Sequence, residues 1–102
     1  MNDIAYTVTA TLPDEATRVA YLTWLRAGHV DAVVAGGAIS AMIVRVDEPA
    51  APPRVQTRYV FPSLDAYRTY TQRHAPGLRA DGLQRFPPER GVVFTREIGT
   101  IL

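Results

Sequence analysis

The chain has 102 residues, of which 47% are hydrophobic and 21% charged. This length and composition predict one globular domain over residues 1–102 and exclude a disordered or fibrous chain. The sequence has no cysteine, so disulfides, thiolate metal sites and cysteine nucleophiles are excluded. A net charge of +1 is too small to predict nucleic acid or an anionic membrane as a partner.

The first residues carry no basic segment followed by an apolar run, so we expect no signal peptide. No stretch approaches the roughly 20 apolar residues that a membrane helix needs. We therefore expect a soluble cytoplasmic protein that has no membrane partner.

Residues 4–11 alternate apolar side chains with threonines, which predicts a half-buried first strand. Pro13, Asp14 and Glu15 are typical of a helix start, and residues 16–27 contain no turn signal. The apolar face predicted for this helix consists of Val19, Tyr21, Leu22, Trp24 and Leu25.

The middle of the chain predicts a short helical piece followed by two strands. Gly28 interrupts the first helix, and residues 31–35 resemble a second piece that ends at Gly36 and Gly37. The apolar run 38–46 predicts a strand, and the alternation in 54–61 predicts another. The proline-rich residues between these strands indicate a hairpin loop.

The last third predicts a capped helix, a shorter helical segment and a final strand. Ser63 is a good N-cap for a helix that continues to His74. Ala75, Pro76 and Gly77 are expected to break it before a shorter segment at 78–86. Residues 91–98 alternate again and predict the last strand.

These elements follow the order β-α-β-β-α-β, an α+β pattern of the ferredoxin-like class. Right-handed connections place the strands of its antiparallel sheet in the order 4-1-3-2 with both helices on one face. The other face then carries threonines, Gln56, Arg58 and some aliphatic side chains. Such a mixed face predicts packing against a second copy of the chain, hence a homodimer.

Two groups of residues resemble the uncharacterised family DUF4286 over nearly the whole chain. They are Trp24-Leu25-Arg26, His29-Val30, Val33 and Gly36-Gly37 in the first half, and Tyr67, His74-Ala75-Pro76-Gly77-Leu78-Arg79, Gly82-Leu83 and Arg85-Phe86 in the second. The resemblance implies a dimeric α+β barrel made of two ferredoxin-like sheets, and it implies no particular reaction. Gly37-Ala38-Ile39 departs from the family pattern, in which an aromatic residue follows one glycine.

The residues offer little support for metal, phosphate or nucleic-acid chemistry. His29 and His74 lie 45 residues apart without a zinc-ligand spacing, so no metal and no cofactor are expected. Gly36 and Gly37 end a helix instead of opening one, which argues against a phosphate loop. Ten acidic residues nearly balance eleven basic ones, all arginine, and therefore no nucleic-acid partner is predicted.

An aromatic and histidine set remains as the candidate site. His29 is the candidate catalytic residue, because imidazole exchanges protons near neutral pH. The candidate ligand-binding residues are Tyr21, Trp24, Tyr59, Tyr67 and His74. The alternative is structural, since aromatic side chains fill cores and a histidine near a helix end interacts with terminal carbonyls.

Two functions of different classes follow. The first is binding or cofactor-free conversion of a small apolar or aromatic molecule in a pocket between helices and sheet. The second is a non-catalytic homodimeric module for assembly or a protein partner. The residues leave open whether the protein is an enzyme.

The segment from His74 to Phe86 is expected to be structural. In this interpretation Leu78, Leu83 and Phe86 pack on the core. Its arginines, Arg79 and Arg85, are expected to pair with acids such as Asp81 or Glu89.

Overall fold

The computed structural model describes residues 2–102. The strands are β1 (Ile4–Thr11), β2 (Ser40–Val46), β3 (Arg54–Phe61) and β4 (Val93–Thr100). The helices are α1 (Glu15–Trp24), α2 (Val30–Ala35), α3 (Leu64–Arg73) and α4 (Ala75–Arg85), with a kinked turn at Leu25–His29 and a short helical turn at Pro88–Arg90. No helix within the described residues combines the length and apolarity that a bilayer crossing requires.

The four strands form one antiparallel sheet in the order β2-β3-β1-β4. This is the predicted order 4-1-3-2 read from the opposite edge, and with the observed element order it gives the predicted ferredoxin-like α+β fold. The proline-rich residues connect β2 and β3 as a hairpin. Strand β1 lies at the centre because it pairs with both β3 and β4.

Alternation along the strands separates two faces of the sheet. Side chains of one set are buried under the helices in two clusters: Ile4, Tyr6, Val33, Ala38, Tyr59, Phe61, Tyr70 and Ala75 form one, and Ala10, Leu12, Tyr21, Leu25, Val55, Phe86 and Val92 form the other. The opposite face, here called the open face, carries Ala5, Thr7, Thr9, Thr11, Ser40, Met42, Val44, Gln56, Arg58, Val60, Thr95 and Glu97. No helix of the described chain covers it.

The first helix ends earlier than predicted, at Trp24 instead of residue 27. Gly28 has φ +142°, a backbone conformation that a residue with a Cβ rarely adopts, so the chain kinks there before α2 begins. Val19 is also 55% exposed and does not belong to the buried face of α1. The kink turns the chain just before His29 and thereby decides where that ring lies.

The helix that starts after Ser63 does end before Ala75, but residues 75–77 form the first turn of α4 and not a break, because α4 begins at Ala75. A proline in the first turn of a helix loses no hydrogen bond, since its N–H would be unpaired there anyway. Asp14 and Ser63 accept hydrogen bonds from the N–H groups of Thr17 and Ala66 at 2.7 and 3.0 Å, which confirms Ser63 as an N-cap. Strands β2 and β4 each begin two residues later than predicted.

The packing expected of the segment from His74 to Phe86 is partly wrong. Phe86 is buried and Leu78 partly so, whereas Leu83 is 46% exposed. Arg85 approaches Asp81 at 3.8 Å, as expected. Arg79 does not pair with an acid; it donates a hydrogen bond to the Tyr6 hydroxyl at 3.4 Å.

These burial differences predict unequal stability losses on truncation within one segment. Phe86→Ala should lower the free energy of unfolding by about 3–5 kcal/mol, because Phe86 packs edge-on against Tyr21 at 5.3 Å. Leu83→Ala should cost about 1 kcal/mol or less, since a half-exposed side chain leaves no closed cavity. Urea unfolding of both variants checks this, and equal losses would contradict the burial described for Leu83.

Candidate functional site

A cleft opens between the helices and the covered face of the sheet. Its volume is about 450 Å³ including the space open to solvent. It is lined by Tyr6, Val8, Trp24, His29, Val33, Thr57, Tyr59, Tyr70, Leu78, Arg79, Gly82, Leu83, Phe94 and Arg96. The walls thus come from the sheet, from the kinked first helical segment and from α3 and α4, and most of them are aromatic or aliphatic.

His29 lies at the kink between α1 and α2, with its ring stacked on Trp24. The ring centroids are 4.1 Å apart and the planes are inclined by 24°. Its Nδ1 is buried and finds no hydrogen-bond partner among the described residues. Burial lowers the pKa of His29, which Asp81 opposes and Arg96 reinforces, so the imidazole is predominantly neutral at pH 7.

The same ring also borders a second, outer cavity. This cavity has a volume of about 550 Å³ including open solvent, and Asp81 and Arg85 lie on its wall together with Trp24 and Gly28. His29 therefore separates the inner cleft from an opening at the protein surface. An imidazole in this position has access to a ligand on one side and to water on the other.

Two guanidinium groups supply the charge of the cleft. Arg79 reaches in from α4 and donates to the Tyr6 hydroxyl, while its Nε is buried without a partner within residues 2–102. Arg96 comes from β4, with its guanidinium carbon 5.6 Å from the centre of the Phe94 ring. No aspartate or glutamate lines the cleft. Its electrostatic potential is therefore positive.

Two tyrosines of the cleft, Tyr59 and Tyr70, keep their protons at neutral pH. Burial raises the pKa of Tyr59 to about 12, although a hydrogen bond with Thr57 acts in the opposite direction. Burial also raises the pKa of Tyr70. These two phenols can donate or accept hydrogen bonds to a ligand, but neither is suited to be a base. The ring of Tyr59 stacks on that of Tyr6 with the centroids 5.8 Å apart.

The structure brings together three of the six residues that the sequence proposed for the site. Trp24, His29 and Tyr59 line the cleft. Tyr21 is buried in the core between Trp24 and Phe86. The other two, Tyr67 and His74, also lie outside the cleft, the first packed against the core and the second exposed.

Sequence reasoning missed Tyr6, Tyr70, Arg79 and Arg96. Arg96 could have been found, because it lies two residues after Phe94 in the predicted last strand and therefore on the same face as that aromatic side chain. Nothing in the sequence placed Arg79 there, since it lies 73 residues from its partner Tyr6. Within residues 2–102, no three histidine or acidic side chains come close enough together to hold a metal ion.

The lowered pKa of His29 predicts a pH dependence of stability that its removal reduces. Unfolded histidine binds a proton near pH 6.5, whereas folded His29 does so only at lower pH. The unfolded state therefore binds more protons in this window, and stability falls as the pH decreases through it. Urea unfolding between about pH 7.5 and about pH 5 should show a smaller loss for His29→Gln than for the wild type. Identical pH profiles would contradict a desolvated His29.

Comparison with solved structures shows many proteins of this fold. A dimeric ferredoxin-like protein from an uncultured marine organism has a TM-score of 0.78 and 12% identity, with 100% of this chain and 97% of that chain covered. An EthD family protein from Bacillus halodurans has a TM-score of 0.71 and 9% identity, with 97% and 99% covered. SnoaB, a cofactor-independent oxygenase from Streptomyces nogalater, has a TM-score of 0.65 and 14% identity, with 100% and 93% covered.

At these identities the likeness establishes the fold and nothing about the reaction. No curated protein sequence matches the chain significantly. The model of DUF4286, a domain of unknown function, matches residues 3–101. The resemblance seen in the sequence is thereby confirmed, and the chain belongs to the DUF4286 family.

Proposed function

We propose that the protein binds a small, flat, largely apolar or aromatic molecule in the cleft and exchanges a proton with it through His29. The observation that carries this proposal is the buried, unpartnered Nδ1 of His29 on the wall of an aromatic cleft. A buried polar atom without a partner costs free energy, and such costs concentrate at sites where a ligand completes the hydrogen bond. Stacking against Trp24 holds the ring in place.

The state of His29 fits the role of a base. A neutral imidazole accepts a proton from an acidic O–H group, such as that of a phenol or an enol, and becomes imidazolium while the ligand becomes an anion. Arg79 and Arg96 would stabilise the negative charge that develops. The outer cavity gives the imidazolium a route for releasing its proton to water.

The fold is compatible with small-molecule chemistry. SnoaB is named as a cofactor-independent oxygenase, and a second neighbour, from Shewanella loihica, is a putative monooxygenase with a TM-score of 0.61 and 10% identity. These names support the proposal because both describe enzymes of this architecture. The reaction of this chain rests on its own cleft.

Blocking the cleft should abolish binding, and α4 provides a matched pair of glycines for this experiment. A Cβ added to Gly82 would lie 3.3 Å from the Trp24 ring, whereas one added to Gly77 would meet nothing within 4 Å. Gly82→Leu should therefore fill the cleft while Gly77→Leu leaves it open. Both substitutions replace a glycine of α4 with leucine. Leucine has the higher helix propensity, by several tenths of a kcal/mol or more, so this contribution to stability is similar in the two variants.

The measurement is a thermal melt with a panel of small aromatic acids, phenols and quinones. A ligand at about 100 times its Kd stabilises the folded state by about 2.7 kcal/mol. We expect at least one compound to raise the Tm of the wild type and of Gly77→Leu but not of Gly82→Leu. A panel that leaves the wild type unmoved, or equal shifts for both variants, would contradict binding in the cleft.

We also propose that the open face of the sheet is covered by a second copy of the chain. Met42 is 57% exposed there, opposite Arg58 of β3 and on the same face as Val44 and the threonines of β1. Two neighbours from uncultured marine organisms are described as dimeric. Burying such a partly apolar face removes it from water and thereby stabilises the dimer.

The charges on the open face are self-complementary. Thr7 pairs with Arg58 on one side and with Glu97 on the other, so a cation and an anion flank the middle of the face. A two-fold axis parallel to the strands lays the β3 side of one copy over the β4 side of the other. Arg58 of each copy then approaches Glu97 of its partner.

This arrangement predicts reciprocal rescue. Arg58→Glu alone and Glu97→Arg alone should each weaken the dimer about tenfold or more, because each brings like charges together, and the double variant should restore it. Arg68→Glu on α3 is the control; Arg18 is unsuitable, since it is buried and paired with Glu15. Sedimentation equilibrium measures the outcome. A monomeric wild type would refute the dimer, and a double variant as weak as the single ones would refute this register.

A further inference from the structure

The cleft contains a half-buried cation without a counter-ion. Arg79 donates one hydrogen bond, to the hydroxyl of Tyr6, and its Nε is buried without a partner among residues 2–102. No acidic side chain lines the cleft, and Arg96 adds a second positive charge to it. Burying part of a guanidinium without supplying a carboxylate partner costs free energy of folding.

Arg18, which is buried, shows what a structural role of an arginine looks like here. The guanidinium of Arg18 forms an ion pair with Glu15 at 2.6 Å and donates to the carbonyl oxygens of Val46 and Arg54 at 3.2 and 3.4 Å. Its charge is neutralised within the fold, although its Nε is also unpartnered. Arg79 has neither the carboxylate nor the carbonyl partners of Arg18.

We propose that the molecule bound in the cleft carries a carboxylate, and that Arg79 and Tyr6 bind it. This inference rests on the proposed function and names its ligand class, an aromatic carboxylate. The Tyr6 hydroxyl accepts its hydrogen bond from Arg79, so its own proton is available to one carboxylate oxygen. The unpartnered Nε–H of Arg79 would donate to the other. Two donors of this kind can pair with the two oxygens of a planar carboxylate.

Arg96 distinguishes this site from an ordinary tyrosine–arginine contact. It reaches the cleft from β4, whereas Arg79 reaches it from α4, so the anion would be attracted from both the sheet and the helical wall. The aromatic rings of Tyr6 and Tyr59 provide the flat surface on which an aryl group can stack. Charge and shape thus select an aromatic acid over a neutral aromatic molecule.

The experiment compares each acid with its uncharged amide. Trp24 is the one tryptophan of the chain and lies on the cleft wall, so its indole N–H resonance in a ¹⁵N–¹H spectrum reports occupation of the cleft. The probes are benzoate against benzamide and 2-naphthoate against 2-naphthamide. We expect the wild type to bind each acid at least about tenfold more tightly than its amide.

Arg79→Gln should remove this preference, and Arg79→Lys should retain only part of it because the planar fork is lost. Arg85→Gln, on the same helix and outside the cleft, should keep the preference in full. Removing a half-buried charge that has no ionic partner should leave the Tm of Arg79→Gln equal to or above that of the wild type. A lower Tm together with an unchanged preference would assign Arg79 to a structural role and overturn the proposal.

The outcomes distinguish the carboxylate site from ligand binding in the cleft in general. Amides that move the Trp24 resonance as strongly as the acids would overturn the carboxylate site and leave binding in the cleft intact. Failure of all four probes to move the resonance would contradict both proposals. An acid preference that survives in Arg79→Gln but disappears in Arg96→Gln would overturn the assignment of Arg79 as the binding residue.

Discussion

The structure depends on one constraint, the burial of only one face of a four-stranded sheet. Strand β1 enforces it, because its alternating side chains put Tyr6 under the helices and Thr7 on the open face. Every other strand is aligned to β1 directly or through β3. The covered face thus provides the floor of the cleft, and the open face provides the surface proposed for a second copy. A register shift of one residue would exchange the two faces and destroy both.

The kink at Gly28 is the second element on which the site depends. A straight helix from Glu15 to Ala35 would direct the ring of residue 29 by helical periodicity alone. The positive φ of Gly28 breaks that periodicity and lets His29 stack on Trp24. The stack then places one ring between the inner cleft and the outer cavity. Its burial lowers the histidine pKa, which destabilises the protein in acid and favours the neutral base at pH 7.

The cleft is positively charged because two arginines and no acidic side chain line it. Phenols with raised pKa values, aliphatic side chains and two arginines form its walls, and no acid neutralises them. Arginines in this cleft contribute less to stability than aliphatic side chains of similar size, which would fill the same space without desolvating a charge. The same arginines are suited to binding a flat molecule with an acidic group. Conflicts of this kind between stability and local chemistry are expected at functional sites.

The sequence by itself determined the four strands to within two residues, the starts of α1 and α3 and the order of the sheet, because alternation, N-caps such as Ser63 and right-handed connections are local or topological properties. It also placed Trp24, His29 and Tyr59 in a candidate site, which the cleft brings together. Tertiary structure decided the rest. Helix α4 folds back over the sheet, exposes Leu83 and directs Arg79 to Tyr6 across 73 residues. Periodicity along one segment cannot reveal such contacts, since they depend on which surface the segment meets and not on its own residues.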